Sequence, residues 1–254
     1  MNILDCKAYA DSVLESVAEQ VKAMNRPPFL VGIRKENNPG AASYAAGIKR
    51  DCDRCGIFYK EYIMAENDDF DAWDKRIAML NIDPAVDAII VFTPAELMLE
   101  EVSQYKDVDA FSSNKAFDSC TADGVIDLLI YNEIPIHGRD VVVIGRSDNV
   151  GKPMALTLLD YDATVTICHS KTPYLSSHCK KADIIISATG QQGLVKGYMV
   201  KPGATVIDVG RGDVEFDSVA EVAGAITPAK GGTGLATRAA LMQHVVRAKE
   251  FSDI

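Results

Sequence analysis

The stretch V-V-V-I-G-R-S-D-N-V-G-K-P-M-A-L, from Val141 to Leu156, holds the clearest chemical signal in this 254-residue chain. An apolar run, Val141–Ile144, enters a turn carrying Gly145 and Gly151, and Pro153 suits the first turn of a helix, where its missing N–H costs nothing. Strand, glycine turn and helix in that order make a phosphate cradle, because backbone amides and a helix N-terminus can face a pyrophosphate. The spacing is Gly-x5-Gly and not G-x-G-x-x-G, so a plain strand-to-helix turn is the alternative. The next apolar run, Thr164–Cys168, ends in His169-Ser170-Lys171-Thr172. It offers no acid to hold a ribose 2′-hydroxyl, as an NAD site usually does. A 2′-phosphate would tolerate that end, with Arg146 and Ser147 supplying charge and hydrogen bonds, so NADP is favoured over NAD.

Other reactive residue types are dispersed. Cys52 and Cys55 form a C-x-x-C, but no second cysteine pair or spaced histidine pair accompanies it. The expectation is six small thiols in a reducing compartment and no metal site. The four histidines show no ligand spacing.

The elements that must carry these groups alternate along the chain. Residues 4–24 read as an amphipathic helix stopped by Asn25-Arg-Pro-Pro28. Strand Phe29–Ile33, a loop over 35–40, helix Ala41–Cys55 ending at Gly56, and strand Ile57–Tyr62 follow. Helix Phe70–Leu80, strand Ala88–Phe92 and a helix over Ala95–Tyr105 complete the first half. The second half repeats the pattern: a helix from Thr121 to Asn132, strand Val141–Gly145, helix Pro153–Leu159, strand Thr164–Cys168, a short helix over 172–179, and strands Ile184–Ala188 and Ala204–Val209. Gly210–Gly234 reads mostly as loop and Thr237–Phe251 as the last helix. Such alternation predicts βα units and mainly parallel sheets. The predicted division is 1–120 and 121–236, with the helix 237–254 packing back on the first domain.

Composition narrows the partners. With 26 Lys+Arg against 36 Asp+Glu the net charge is −10, which argues against a nucleic-acid backbone as ligand. No apolar run reaches the roughly 18 residues of a membrane span. The opening M-N-I-L-D-C has an early acid and no apolar core of a signal peptide, so a cytoplasmic location is expected.

Taken in order, these segments resemble the methylenetetrahydrofolate dehydrogenase/cyclohydrolase family. V-I-G-R-S-x-x-V-G-K-P-M-A-L, T-V-T-I-C-H-S-K-T, A-D-I-I-I-S-A-T-G, G-L-V-K-G-Y-M-V-K-P-G-A-T-V-I-D-V-G and V-A-G-A-I-T-P carry the likeness. Ser43-Tyr44, Gly56-Ile57, Lys106-Asp-Val-Asp109, Cys120-Thr121 and Gly231-Gly-Thr-Gly234 extend it. The resemblance implies two α/β domains with a folate cleft between them, the second a Rossmann-type dinucleotide-binding domain, and a homodimer. It also implies oxidation of the folate methylene bridge with NADP, then hydrolysis of the methenyl product. Gly145, Arg146, Ser147, Val150, Gly151, Ser170, Gly190, Arg211 and Thr237 fall on its cofactor side. Tyr44 falls beside the folate ring, and Asp109 at the pterin's hydrogen-bonding edge.

Departures from the family pattern fall on the catalytic positions. Its lysine comes four residues after the tyrosine, and that position here is Ile48, with Lys49 one later. At about 100° per residue, Ile48 lies about 40° from Tyr44 around a helix and Lys49 about 140°. Lys49 therefore serves as a substitute base only on a helix distorted near Gly47; otherwise it is a solvated lysine. The family's V-Q-L-P reads Val91-Phe92-Thr93-Pro94, and the residue after I-D-V-G is Arg211 where the family has an apolar one. Hydride removal needs chiefly positioning, whereas methenyl hydrolysis needs an activated water. Losing lysine and glutamine together should hurt hydrolysis first. Two other readings stand beside this one: an NADP-binding protein without folate turnover, and an oxidoreductase acting on another pterin or a non-folate substrate.

Overall fold

A computed structural model describes residues 1–92, 101–112 and 116–253. The chain divides into two compact units, Asp11–Cys120 with Arg238–Ile254, and Met1–Ala10 with Thr121–Thr237.

In the first unit, β2 (Phe29–Lys35) lies between β3 (Phe58–Met64) and β4 (Ala88–Val91), all parallel. Two helical layers cover the sheet. Leu30, Ala88 and Ile90 pack under α2 (Pro39–Cys55) and α8 (Thr233–Ser252), while Val31, Ile33 and Ile89 pack under α3 (Phe70–Ile82). Strands buried on both faces explain the apolar runs seen in the sequence. The start of α2 is set by Asn38, whose side chain accepts from Ala41 N at 3.0 Å, with Pro39 in the first turn; Gly56, at φ +77°, ends it. The helix therefore begins two residues before the expected Ala41.

In the second unit six parallel strands run in the order β1 (Asn2–Ile3), β9 (Ala225–Ile226), β8 (Thr205–Asp208), β7 (Ile184–Ser187), β5 (Asp140–Ile144), β6 (Thr164–Cys168). The chain passes over β5 on its way from β6 to β7, so the strand order reverses beside β5, where an open sheet of this kind binds its ligand. Helices α4 (Cys120–Tyr131) and α5 (Gly151–Asp160) bury Val125, Ile126, Leu129, Met154 and Leu158 against Val141 and Val143.

Two expectations are corrected. The first ten residues group with 121–237 and not with 11–120: Asn2 N donates to Gly224 O at 2.7 Å, Leu4 N to Ile226 O at 2.9 Å, and Leu4 is buried among that unit's core residues. The helix over Ala95–Tyr105 falls partly on 93–100, outside the described residues. Glu101–Tyr105 is not helical, because Asn81 on α3 ties down Glu101 O (2.9 Å) and Ser103 N (2.8 Å). Gly210–Gly234 is mostly loop, as expected, and also holds the short helix α7 (Phe216–Ala220), strand β9 and the first residues of α8. Among the described residues no helix is long and apolar enough to cross a membrane.

Candidate functional site

Tyr44 and Ile48 lie on the same face of α2, as their four-residue spacing requires. Tyr44 is half-buried and meets the edge of Phe92, just beyond β4, with ring centroids 5.8 Å apart at 89°. Ile48 is fully buried in the cluster that contains Leu30, Cys52, Ala88 and Ile90. Phe92 and Tyr59 crowd over Gly32 on β2, where an added Cβ would lie 2.4 Å from the Tyr59 hydroxyl and 2.9 Å from the Phe92 ring. Aromatic rings thus fill the space next to Ile48, and an ammonium there would be desolvated.

Lys49 is not brought to this face. Its Nζ lies 2.9 Å from Asp53 in an exposed i,i+4 pair. The distortion expected at Gly47 is absent: α2 runs unbroken from Pro39 to Cys55. Gly47 has a different task, because a Cβ there would meet the Arg238 guanidinium at 3.1 Å, and Arg238 is ion-paired with Asp51. The C-x-x-C thiols belong to the core. Cys52 Sγ donates to Met242 Sδ (3.7 Å) and Cys55 Sγ to Leu14 O (3.5 Å), and burial pushes the Cys55 thiol up to about 11. All six cysteines are buried thiols outside any disulfide.

Asp109 stands on a turn that its neighbours fix. Lys106 caps the end of α3 by donating to Leu80 O (3.0 Å) and Asp83 O (2.8 Å). Buried Asp107 accepts from Ser112 N (2.6 Å) and Phe111 N (3.1 Å). Asp109 itself is half-buried, and desolvation pushes its carboxyl up to about 6; the Asp107 charge works in the same direction, while hydrogen bonds from Cys120 oppose it.

In the other unit the glycine turn after β5 is tightly packed. Gly145 has φ +121°, and a Cβ on it would lie 2.5 Å from Ala188 O at the end of β7. A Cβ on Gly151 would lie 2.4 Å from Gly145 O. The two glycines are thus required by the turn itself. Arg146 and Ser147 are exposed on it, Ser170 is exposed beyond β6, and Val150 precedes the first turn of α5. Not every amide at the α5 N-terminus is open: Gly151 N donates to Ser147 Oγ (3.3 Å) and Lys152 N to Ser147 O (3.0 Å).

A buried carboxylate organises the far side of this site. Asp213 Oδ2 accepts from Ser187 Oγ (2.8 Å), Thr189 N (2.7 Å) and Thr189 Oγ1 (2.8 Å), tying the end of β7 to the loop after β8. Asp208, the last residue of β8, accepts from Gly212 N at 2.7 Å. Between them Arg211 adopts φ +61° and is exposed, with its guanidinium 3.6 Å from where a Cβ on Gly234 would stand. Gly190 has φ +70°, and nothing lies within 4 Å of a Cβ built on it. Thr237 is half-buried and donates to Thr233 O at 3.1 Å. A tight turn beside β5, an exposed arginine and open backbone at Gly190 fit a dinucleotide phosphate. Asp213, Ser187 and Thr189 escaped the sequence reading, although S-A-T-G and the acid-rich loop were visible; their contacts span more than twenty positions.

Residues 4–109 match the family model described as tetrahydrofolate dehydrogenase/cyclohydrolase, catalytic domain, and residues 119–253 its NAD(P)-binding domain. This chain belongs to the tetrahydrofolate dehydrogenase/cyclohydrolase family. Of its relatives in that family, the bifunctional protein FolD of Methanospirillum hungatei is 39% identical over 265 residues, covering 95% of each chain. Among solved structures, the bifunctional FolD enzyme of Campylobacter jejuni aligns with TM-score 0.92 at 35% identity, covering 99% of each chain. The FolD of Trypanosoma brucei, solved with NADP and an inhibitor, aligns with TM-score 0.90 at 29% identity over 99% of this chain and 98% of its own. Within this dehydrogenase/cyclohydrolase family member, Tyr44 shares its face of α2 with a buried isoleucine, and the nearby lysine is turned to solvent.

Proposed function

We propose that the chain is an NADP-dependent methylenetetrahydrofolate dehydrogenase whose methenyltetrahydrofolate cyclohydrolase activity is weak or lost. The observation that carries the second half is Ile48: it is fully buried one helical turn beyond Tyr44, while Lys49 pairs with Asp53 in solvent.

The two reactions ask different things of these residues. Removing hydride from the methylene carbon leaves a cation spread over two folate nitrogens and moves no proton. The protein's part is then to hold the reactants in contact and exclude water. Tyr44 offers a rigid aromatic face, held by Phe92, beside which the folate ring can stack. Asp109 accepts hydrogen bonds from the pterin's donor edge. Arg146, Ser147 and Ser170 hold the 2′-phosphate, and Gly145, Val150 and Gly151 let the pyrophosphate approach the backbone. Gly190, Arg211 and Thr237 flank the nicotinamide end. NADP, when bound, accepts the hydride. Hydrolysis needs a group that activates water, and Ile48, Phe92 and Tyr59 supply only a buried apolar wall and a phenol that burial keeps protonated.

The same reading extends to assembly and location. Edge strand β6 exposes Ile167, and α5 beside it exposes Leu156 and Leu159, an apolar strip that suits a second copy of the chain. Six thiols outside any disulfide suit the reducing cytoplasm.

The test is folate-dependent NADPH formation, with calorimetric titration of tetrahydrofolate beside it. Turnover and folate binding together support the proposal. Folate binding with no NADP reduction, or no folate binding at all, overturns it in favour of a pterin enzyme of another kind or a protein that binds only NADP.

A further inference from the structure

Behind Asp109 lies a buried group that the proposed chemistry does not use. His244 on α8 is 3% exposed, and its Nδ1 lies 2.9 Å from Val108 O and 3.3 Å from Cys120 Sγ. Cys120, the first residue of α4, is fully buried, and its Sγ also stands 3.0 Å from Val108 O. The Phe117 ring rests on the imidazole, centroids 5.2 Å apart, and the Arg247 guanidinium lies over the Phe117 ring, 5.4 Å from its centroid. Hydrogen bonding from the Cys120 thiol and from the Cys120 backbone N–H also lowers the pKa of the Asp109 carboxyl.

The proton inventory of this cluster has one good solution. A carbonyl oxygen only accepts, so His244 Nδ1 carries the proton and donates to Val108 O. Its lone pair is then gone, and the thiol cannot donate to it. The S–H is left to choose between a carbonyl already receiving a hydrogen bond and a carboxylate, and the charged acceptor wins.

We infer that Cys120 and His244 are positioning residues for Asp109: His244 turns the thiol proton toward the carboxylate, and the thiol with its backbone N–H fixes the carboxylate for the ligand. The inference rests on the assignment of Asp109 to folate made above. Among the described residues, the charged and titratable groups acting on Asp109 are Asp107, Cys120 and His244. Asp107 raises the cost of ionising it, and the other two lower that cost, so the thiol's hydrogen bond helps keep Asp109 an acceptor near neutral pH.

The experiment measures the tetrahydrofolate Kd from pH 5 to 8, by titration of the full chain, for the parent and five variants. In Cys120→Ala the loss of one charge-assisted donor should weaken binding about tenfold at pH 6.5 and move the acid limb of the profile upward. Cys120→Ser keeps a donor and should restore both. His244→Ala frees the thiol to choose Val108 O and should give a smaller shift in the same direction. On an Asp109→Asn background the Cys120→Ala change should have no further effect, and NADP affinity should stay constant throughout. An unmoved acid limb in Cys120→Ala, failure of Cys120→Ser to restore it, or an equal loss on the Asp109→Asn background overturns the inference. If Asp109→Asn alone leaves the folate Kd unchanged, the assignment of Asp109 has failed, and the inference falls with it for that separate reason.

Discussion

Phe92 meets the ring of Tyr44 edge-on at 5.8 Å, and behind the pair Ile48 is sealed from solvent. This contact joins the end of edge strand β4 to the second turn of α2. It gives the aromatic face a rigid backing and leaves the adjoining volume apolar. Such a pair is worth about 0.5–1.5 kcal/mol beyond its buried area.

The buried face resists simple repair. Ile48→Lys places an ammonium in an apolar cluster, and an uncompensated buried charge costs roughly 3–5 kcal/mol. Urea denaturation should therefore show a large loss of stability with little gain in methenyl hydrolysis. Adding Phe92→Gln supplies a partner and should recover part of both; a fully stable, hydrolytically active single variant would count against the packing described.

Cofactor choice follows from the exposed groups on the glycine turn. With Arg146 and Ser147 exposed and no acid ending β6, NADP should bind at least about tenfold tighter than NAD, or ~1.4 kcal/mol. Arg146→Ala should weaken NADP selectively. Equal affinities by calorimetry would sink the expectation.

The turn itself tolerates no side chain. Gly151→Ala drives a methyl to 2.4 Å from Gly145 O, and Gly145→Ala adds the strain of φ +121° to a clash at Ala188 O. Backbone strain and overpacking together should cost about 2–4 kcal/mol at either site. Thermal denaturation checks the loss, and it should be accompanied by failure to bind NADP.

Asp109 should trade stability for binding. Its carboxyl is raised from 3.8 to about 6, so the folded state favours the protonated form. The stabilising contribution is fully present below the unfolded value and is lost as pH rises through the folded one, leaving an ionised group that costs roughly 2–3 kcal/mol at neutral pH. Asp109→Asn should therefore stabilise the protein at pH 7.5 and much less at pH 4, measured by chemical denaturation, while folate affinity falls. A variant less stable than the parent at pH 7.5 would contradict this.

Much of the fold was legible because buried parallel strands between helices leave long apolar runs, and the caps Asn38 and Gly56 are local signals. Strands β1 and β9 were not, since each has two residues and exists only through pairing with distant chain. The site divides in the same way. The angles of Tyr44, Ile48 and Lys49 around α2 follow from helix geometry alone. The edge contact of Phe92 on Tyr44, the Asp213 hydrogen bonds, and the pairing of Cys120 with a histidine 124 positions away are products of tertiary packing, which no local pattern encodes.

The most direct test follows both reactions on one preparation: NADPH formation from methylenetetrahydrofolate at saturating NADP, and disappearance of methenyltetrahydrofolate. Without a positioned acid–base group in place of Ile48, oxidation should exceed hydrolysis by about a hundredfold or more. Comparable rates for the two would contradict that, and would mean that a group other than residue 48 activates the water.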